Sequence, residues 1–217
     1  MIVDLNIHNK TVIVIGGGKE AQKRINSLLK QDCKITVISD SINTEITKLL
    51  KAKKIKFEKQ RIRDVKFISK FKPDLIITTT NDKKMNQNII NAAKKKKIIT
   101  YSSDNPEDSD FSNPAIIDLE STIQIAIFTG GQSPIMSKKI KDKSEEIFKK
   151  IISKEDIAQV KIQNIARKLA KETIPTQTQR REYLHSIMDD NDINQLIKDG
   201  QMKKAEKRAI TIVRNWK

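Results

Sequence analysis

The stretch Thr11-Val12-Ile13-Val14-Ile15-Gly16-Gly17-Gly18-Lys19-Glu20-Ala21 decides the fold. Its first five residues are β-branched throughout, which suits a strand buried on both faces in a parallel sheet. Three glycines follow at once. From Lys19 onward, Ala21, Ile25, Leu28 and Leu29 recur at helical spacing. A strand, a glycine turn and a helix together form an anion site. The glycines let the backbone turn sharply and approach a pyrophosphate, and the N–H groups of the first helical turn point at it. Gly16-x-Gly18-x-x-Ala21 fits the dinucleotide-binding pattern with Ala in the last glycine position. No Gly-Lys-Ser/Thr occurs here, which argues against a mononucleotide phosphate loop. The expected cofactor contacts are Gly16, Gly17, Gly18, Lys19, Glu20 and Ala21.

Outward from this stretch, strands and helices alternate. Residues 35–38 read as a second strand, 44–53 as a helix, 55–58 as a third strand and 75–79 as a fourth. A helix over 85–95 and a fifth strand over 98–101 complete the series. This alternation predicts βαβ units and a parallel sheet. The second strand ends at Ser39-Asp40, where dinucleotide folds place a carboxylate for the adenosine ribose. Such a group accepts hydrogen bonds from ribose hydroxyls and repels a 2′-phosphate, so NAD is expected rather than NADP. The competing reading is that Asp40 only ends a strand. Thr79, Thr80 and Asn81 close the fourth strand, where the ligand crevice of such sheets lies, and are further cofactor candidates. Helix capping by Asn81 or Asp82 is the alternative.

The pattern changes after Asp104. Residues 105–110 form a turn-rich loop, and 122–128 alternate with the period of a sheet having one buried face. In the turn that follows, Ser133 is an N-cap and Pro134 a first helical residue. The helix runs to about residue 152. Beyond it only helices are expected, over 153–171, 180–188, 193–198 and 203–216. The fold class is α/β: a Rossmann parallel sheet over 1–113, a small α+β segment over 114–150 and a C-terminal helical bundle over 151–217.

Composition narrows the partners. A net charge of +16 is spread along the chain as lysine, and aromatics make up 4%, too few to supply base stacking. No nucleic-acid partner is expected; a polyanionic small substrate suits the positive field better. One cysteine, Cys33, permits no intrachain disulfide, and with two histidines it makes a His/Cys metal site improbable, so no metal ligands are assigned. No membrane-spanning run or secretory leader is evident, and a cytoplasmic location is expected. Between Ile98 and Ser137 there is no Lys or Arg, yet Asp104, Glu107, Asp108, Asp110, Asp118 and Glu120 lie there. An acidic loop before an ordinary strand is the plain reading. A site whose carboxylates must stay free of salt bridges is the functional one.

Several landmarks in this order resemble a known family. They are Gly16-Gly17-Gly18 with Ala21, Thr79-Thr80-Asn81-Asp82, Asp104-Asn105-Pro106, Phe111-x-x-Pro114-Ala115, and Ala126-Ile127-x-Thr129-Gly130-Gly131-x-Ser133-Pro134. Over about residues 1–150 the chain resembles the precorrin-2 dehydrogenase family of siroheme biosynthesis, some of whose members are also sirohydrochlorin ferrochelatases. The resemblance implies NAD-dependent oxidation of precorrin-2 to sirohydrochlorin, with a tetrapyrrole polycarboxylate as substrate. It also implies a homodimer, with the segment over 114–150 at the interface. Asp104 matches the family's aspartate implicated in activity and is the candidate general base. Members of the family usually carry an Asn three residues earlier; here it is Tyr101. Thr129, Gly130, Gly131 and Ser133 are candidates to receive a substrate carboxylate at a helix start, against the alternative of a tight turn. Lys138 and Lys139 are further candidates for substrate carboxylates; His185 and Cys33 receive no role. The alternative function is a regulatory NAD-binding module without catalysis, which would need neither Asp104 nor the Phe111–Ala115 motif.

Overall fold

A computed structural model describes residues 2–216. The chain divides into two compact units, Met1–Asn113 and Pro114–Lys217. In the first unit, β1 (Thr11–Ile15), β2 (Lys34–Ser39), β3 (Lys56–Lys59), β4 (Leu75–Thr78) and β5 (Ile99–Ser102) form one parallel sheet in the order β3-β2-β1-β4-β5. The helices are α1 (Lys19–Leu28), α2 (Thr44–Lys51), α3 (Lys66–Phe71) and α4 (Lys83–Lys95). The five expected strands and the parallel sheet are present.

The first stretch is buried because it has apolar layers on both sides. Val12 and Val14 pack with Ala21 and Ile25 of α1. Ile13 and Ile15 turn the other way and pack with Phe67 and Ile68 of α3 and Ile89 of α4. Val12, Ile13 and Val14 are fully buried, and each such side chain contributes roughly 1.5–3 kcal/mol. Strand order reverses between β1 and β4. Ligands of open α/β sheets bind outside the carboxyl ends of the strands at such a point.

In the second unit, β6 (Ala115–Leu119) and β7 (Ile123–Ile127) form an antiparallel pair with Ala115 opposite Ile127. Neither β6 nor α3 follows from the periodicity of the sequence. β6 exists through its long-range pairing, and α3 has six residues and no side-chain cap. The helices are α5 (Pro134–Ile151), α6 (Lys154–Thr173), α7 (Gln177–Asp189), α8 (Asn191–Lys198) and α9 (Met202–Arg214). Ser133 caps α5 by accepting the Met136 N–H, with Pro134 at the first position as expected. Ser153 and Asp156 form a reciprocal capping box on α6. Four of these helices, α6 to α9, close around Tyr183, whose hydroxyl donates to the Ala209 carbonyl at 2.9 Å and whose ring meets Trp216 edge-on. Burial pushes that phenol up to about 12.

Asp190 pins this bundle. It accepts the Ile193 N–H as N-cap of α8 and takes two hydrogen bonds from Arg208 of α9, at 2.7 and 2.8 Å. Arg208, more than partial burial opposes, holds the Asp190 carboxyl below its ordinary value. A depressed folded-state value contributes stability above the unfolded one, about 3.9, and the contribution is lost as pH falls through the folded one. Asp190→Ala is therefore expected to cost about 1–2 kcal/mol at neutral pH. In thermal melts the deficit should shrink below about pH 4. A deficit that stays constant down to pH 2 would remove the ion pair from this account.

Candidate functional site

The carboxyl ends of β1, β2 and β4 surround a cavity of ≈ 870 Å³ in the first unit. Gly16, Gly17 and Gly18 form one wall, Ser39, Asp40 and Ser41 another, and Thr79, Thr80 and Asn81 a third. Three short segments, far apart in sequence, are thereby brought to one place. Each glycine has its own reason. Gly16 has φ +112°, and a Cβ there would lie 2.5 Å from Thr79 Oγ1. At Gly17 a Cβ would stand 1.9 Å from the Ser41 carbonyl oxygen, because the β2–α2 loop is pressed onto this residue. The Asn43 N–H donates to the Gly17 carbonyl at 3.0 Å and fixes that approach. At Gly18 a Cβ would meet nothing within 4 Å.

The space above Gly18 opens the N-terminus of α1. Gly18 is the N-cap residue, and no side chain caps the helix. The N–H groups of the first turn of an α-helix have no partner within it, so an anion above Gly18 would meet donors and the positive helix end. These residues fit a pyrophosphate: an open cradle a Cβ would invade, beside uncapped helical N–H groups.

Two of the expected contacts serve differently from a direct contact. Ala21 does not line the cavity; it is fully buried in the core between α1 and the sheet, where a small residue lets the helix approach. Glu20 lines the cavity, but its carboxylate is paired with Arg24 and Lys23. Burial pushes that carboxyl up, and the two cations more than offset it, leaving it below its ordinary value. Lys19 lines the cavity and leaves its backbone at the helix start. Thr79 is held rigidly, with its N–H and Oγ1 both donating to the Ile15 carbonyl. Asp82, not Asn81, caps α4 by accepting the Met85 N–H.

The same cavity has lining residues that the sequence reading passed over: Ile42, Asn43, Gln60, Arg61, Ile62 and Met85. Gln60 and Arg61 follow β3 directly, which is where the rule about strand ends could have found them. Arg61 places a guanidinium in the same cavity as Asp40, able to stack on a planar base.

Asp104 is not part of the cavity lining but is tied to it by hydrogen bonds. Its Oδ1 accepts from Asn86 Nδ2 and from Ser102 Oγ, both at 2.8 Å. Asn86, buried on α4, also donates to the Thr80 carbonyl, and its own Oδ1 accepts from Thr80 Oγ1. Ser102 Oγ shares a hydrogen bond with Thr78 Oγ1 at 2.9 Å. One oxygen of an exposed carboxylate is thus locked by neutral donors that reach back to the cavity wall at Thr80. Among the described residues Asp104 has no ion pair, whereas Glu120 of the same Lys- and Arg-free stretch pairs with Lys161 at 3.2 Å. Asn86 was not legible as a site residue, because it sits at a buried position of an otherwise ordinary helix.

Tyr101 lies on the opposite face of β5. It is buried, stacks with Phe111 at 5.3 Å between centroids, and carries the Arg24 guanidinium 4.7 Å above its ring. The departure from asparagine at this position therefore builds a Glu20–Arg24–Tyr101 stack beneath α1, away from Asp104.

In the second unit, the turn before α5 has Gly130 and Gly131 at φ +64° and +80°. Thr129 Oγ1 accepts the Ser133 N–H and meets Ser137 Oγ at 3.0 Å, while Ser133 Oγ is the cap of α5. The hydroxyls of Thr129 and Ser133 are thus engaged within the turn. Lys138 and Lys139 are exposed on α5 and do not line the cavity at the strand ends. Cys33 donates weakly to the Leu28 carbonyl, and burial pushes its thiol up, as suits an inert residue. Among the described residues, no group of three or more His, Cys, Asp or Glu could hold a metal ion, and no helix is long and apolar enough to cross a membrane.

Comparisons with known proteins bear on this geometry. Residues 3–115 match the family described as "Putative NAD(P)-binding". The siroheme synthase of Mannheimia succiniciproducens is 26% identical over 212 residues, which are 95% of this chain and 41% of that protein. The siroheme synthase of Nitrosomonas europaea is 32% identical over 152 residues, 67% of this chain and 30% of that protein. The chain thus spans about two fifths of the length of the first of these relatives. Among solved structures, that of SirC, precorrin-2 dehydrogenase, superposes with a TM-score of 0.68 at 21% identity, covering 95% of this chain and 99% of that one. The α/β fold, with its small antiparallel sheet and C-terminal helices, is shared along nearly the whole of both chains.

Proposed function

Because the chain belongs to the "Putative NAD(P)-binding" family, we propose that it is an NAD-dependent dehydrogenase that oxidises precorrin-2 to sirohydrochlorin. The observation that carries this reading is the cavity at the strand-order reversal, where an uncapped α1 faces the space above Gly18 and Asp40 stands on the next wall. The siroheme synthase relatives and the shared fold of a precorrin-2 dehydrogenase support the choice of substrate.

The bound nicotinamide supplies the hydride acceptor. Gly16, Gly17 and Gly18 would hold the pyrophosphate at the N-terminus of α1. Ser39 and Asp40 would take the adenosine ribose, and the carboxylate would disfavour a 2′-phosphate. Thr79, Thr80 and Asn81 would offer hydrogen bonds to a ribose or to the second nucleotide. Of the two hydrogens removed, one would leave as a hydride to the nicotinamide and the other as a proton that a base must take. Asp104 is the base for it, with Oδ1 anchored by Asn86 and Ser102. The backbone of Gly130 and Gly131 offers a further contact to a substrate carboxylate.

The test is incubation with NAD and precorrin-2 while the absorbance of sirohydrochlorin is followed. Turnover with NAD and much slower turnover with NADP is the expected result. No NAD-dependent change would leave only a binding module, and equal rates with NADP would overturn the role given to Asp40.

The chain is also proposed to act as a homodimer. Phe128 after β7 and Ile135, Met136, Ile140, Ile147 and Ile151 of α5 are exposed, and Ile135 is 80% accessible. Exposed apolar residues concentrated on one segment mark an association surface. Light scattering is expected to give about twice the 24.8 kDa chain mass. A monomeric mass at micromolar concentration would refute the dimer.

A further inference from the structure

We propose that Asn86 is a positioning residue, which registers the base Asp104 against the cofactor wall at Thr80. This rests on the dehydrogenase reading above, in which Asp104 takes the proton. Asn86 stands at the start of α4 and is only 1% exposed. Its Nδ2 donates to the Thr80 carbonyl at 2.9 Å and to Asp104 Oδ1 at 2.8 Å, and its Oδ1 accepts from Thr80 Oγ1 at 2.6 Å. The orientation of the amide follows from its neighbours. A carbonyl and a carboxylate only accept, so the group that faces both must be the NH2. Both amide hydrogens are thereby used. Thr80 lines the dinucleotide cavity and Asp104 does not. One amide therefore ties the cavity wall to a carboxylate outside it.

The direction of the other hydrogen bonds at Asp104 follows in turn. As a base Asp104 is a carboxylate, so Ser102 Oγ, 2.8 Å from Oδ1, must donate to it. The Ser102 hydrogen is then spent, and Thr78 Oγ1 at 2.9 Å must donate to Ser102. Ser102 and Thr78 are both buried. Two hydrogen bonds fill the accepting sites of Oδ1, so the proton taken in the reaction goes to Oδ2. A base must come within hydrogen-bond reach of the proton it removes, and fixing Oδ1 limits where Oδ2 can stand. The β4–α4 turn does not need Asn86 for its own closure. Asp82 already accepts the Met85 N–H, and Thr79 donates twice to the Ile15 carbonyl. The other buried residues of α4 are Ile89, Ile90 and Ala93, all apolar. A buried amide in their company, with both hydrogens given to Thr80 and Asp104, is placed for those two partners.

The test uses the full chain with Asn86→Ala or Ser102→Ala, each alone and combined with Asp104→Asn. Turnover of precorrin-2 and NAD affinity, by calorimetric titration, are measured separately. Asn86→Ala is expected to lower turnover about tenfold, the scale of one lost hydrogen bond to a charged group, and to weaken NAD binding about fivefold. Ser102→Ala is expected to lower turnover by about as much but to keep NAD affinity within about twofold. Its hydroxyl bonds Asp104 and Thr78, neither of which lines the cavity. With Asp104→Asn present, neither substitution should lower turnover further, because groups acting through one residue are not additive. The weaker NAD binding of Asn86→Ala should persist there. A residue that only supports the fold would lower turnover by the same factor in both backgrounds, and that result would overturn the proposal. So would undiminished NAD affinity in Asn86→Ala. If thermal melts show that Asn86→Ala does not fold, Thr80→Val replaces it, removing the donor to Asn86 Oδ1 at a half-buried position, with the same pattern expected. Turnover by the unaltered chain with additive losses sinks this inference alone. No turnover by the unaltered chain sinks the dehydrogenase reading, and the NAD titrations then decide whether Asn86 holds the cofactor wall.

Discussion

Replacing Gly18 by alanine is expected to weaken NAD binding at least a hundredfold while leaving the folded protein almost as stable as before. The backbone at Gly18 has φ −87° and ψ −166°, a region alanine adopts without strain. The added Cβ meets no protein atom within 4 Å. Alanine is a slightly poorer N-cap than glycine, so the cost to stability stays below about 1 kcal/mol, or ~2–4 °C in melting temperature. The methyl group would, however, occupy the space a pyrophosphate needs in order to reach the first-turn N–H groups. A hundredfold loss corresponds to about 2.7 kcal/mol, the scale of one or two lost charge-assisted hydrogen bonds. Gly17→Ala makes the contrast. Its Cβ would stand 1.9 Å from the Ser41 carbonyl oxygen, so the β2–α2 loop must move. That variant is expected to lose binding and also several degrees of melting temperature. Calorimetric titration with NAD beside thermal melts separates the two. Undiminished affinity in Gly18→Ala would place the dinucleotide elsewhere.

Asp104→Asn is expected to lower turnover by about 10²–10⁴-fold with NAD affinity within twofold of the parent. Asparagine keeps an acceptor for Asn86 and Ser102, the two donors that fix this side chain, so the local structure survives. What it loses is the capacity to take a proton. Asp104 lies outside the cavity lining, which is why the cofactor affinity should hold. Full activity in the variant would remove Asp104 as the base. A large loss of NAD affinity would recast it as a support for Thr80 through Asn86.

The two predictions differ in how much of them the sequence shows. The glycine turn, the continuous β-branched run before it and the 3.6-residue apolar spacing of α1 are local features that can be read directly. The caps at Ser133 and Pro134 are local too, and are found as expected. Strand β6 and helix α3 escape such reading. β6 forms because Ala115–Leu119 can pair with Ile123–Ile127, and α3 because Phe67 and Ile68 close the second face of the sheet. Charge patterning divides the same way. The stretch without Lys or Arg is plain in the sequence; among the described residues Asp104 has no ion pair, but Glu120 finds Lys161 from far along the chain.

By itself, then, the amino-acid sequence determined a parallel α/β sheet with a dinucleotide turn at Gly16–Gly18, because backbone freedom and hydrophobic period act over a few residues. The resemblance along its motifs pointed to one reaction. Only the tertiary structure decided which glycine yields to a ligand and which to the protein's own backbone. It alone brought Arg61 and Asp40 to one cavity and hung Asp104 from the buried Asn86. These are contacts between residues distant in the chain, and they exist only once burial of the core has brought the segments together.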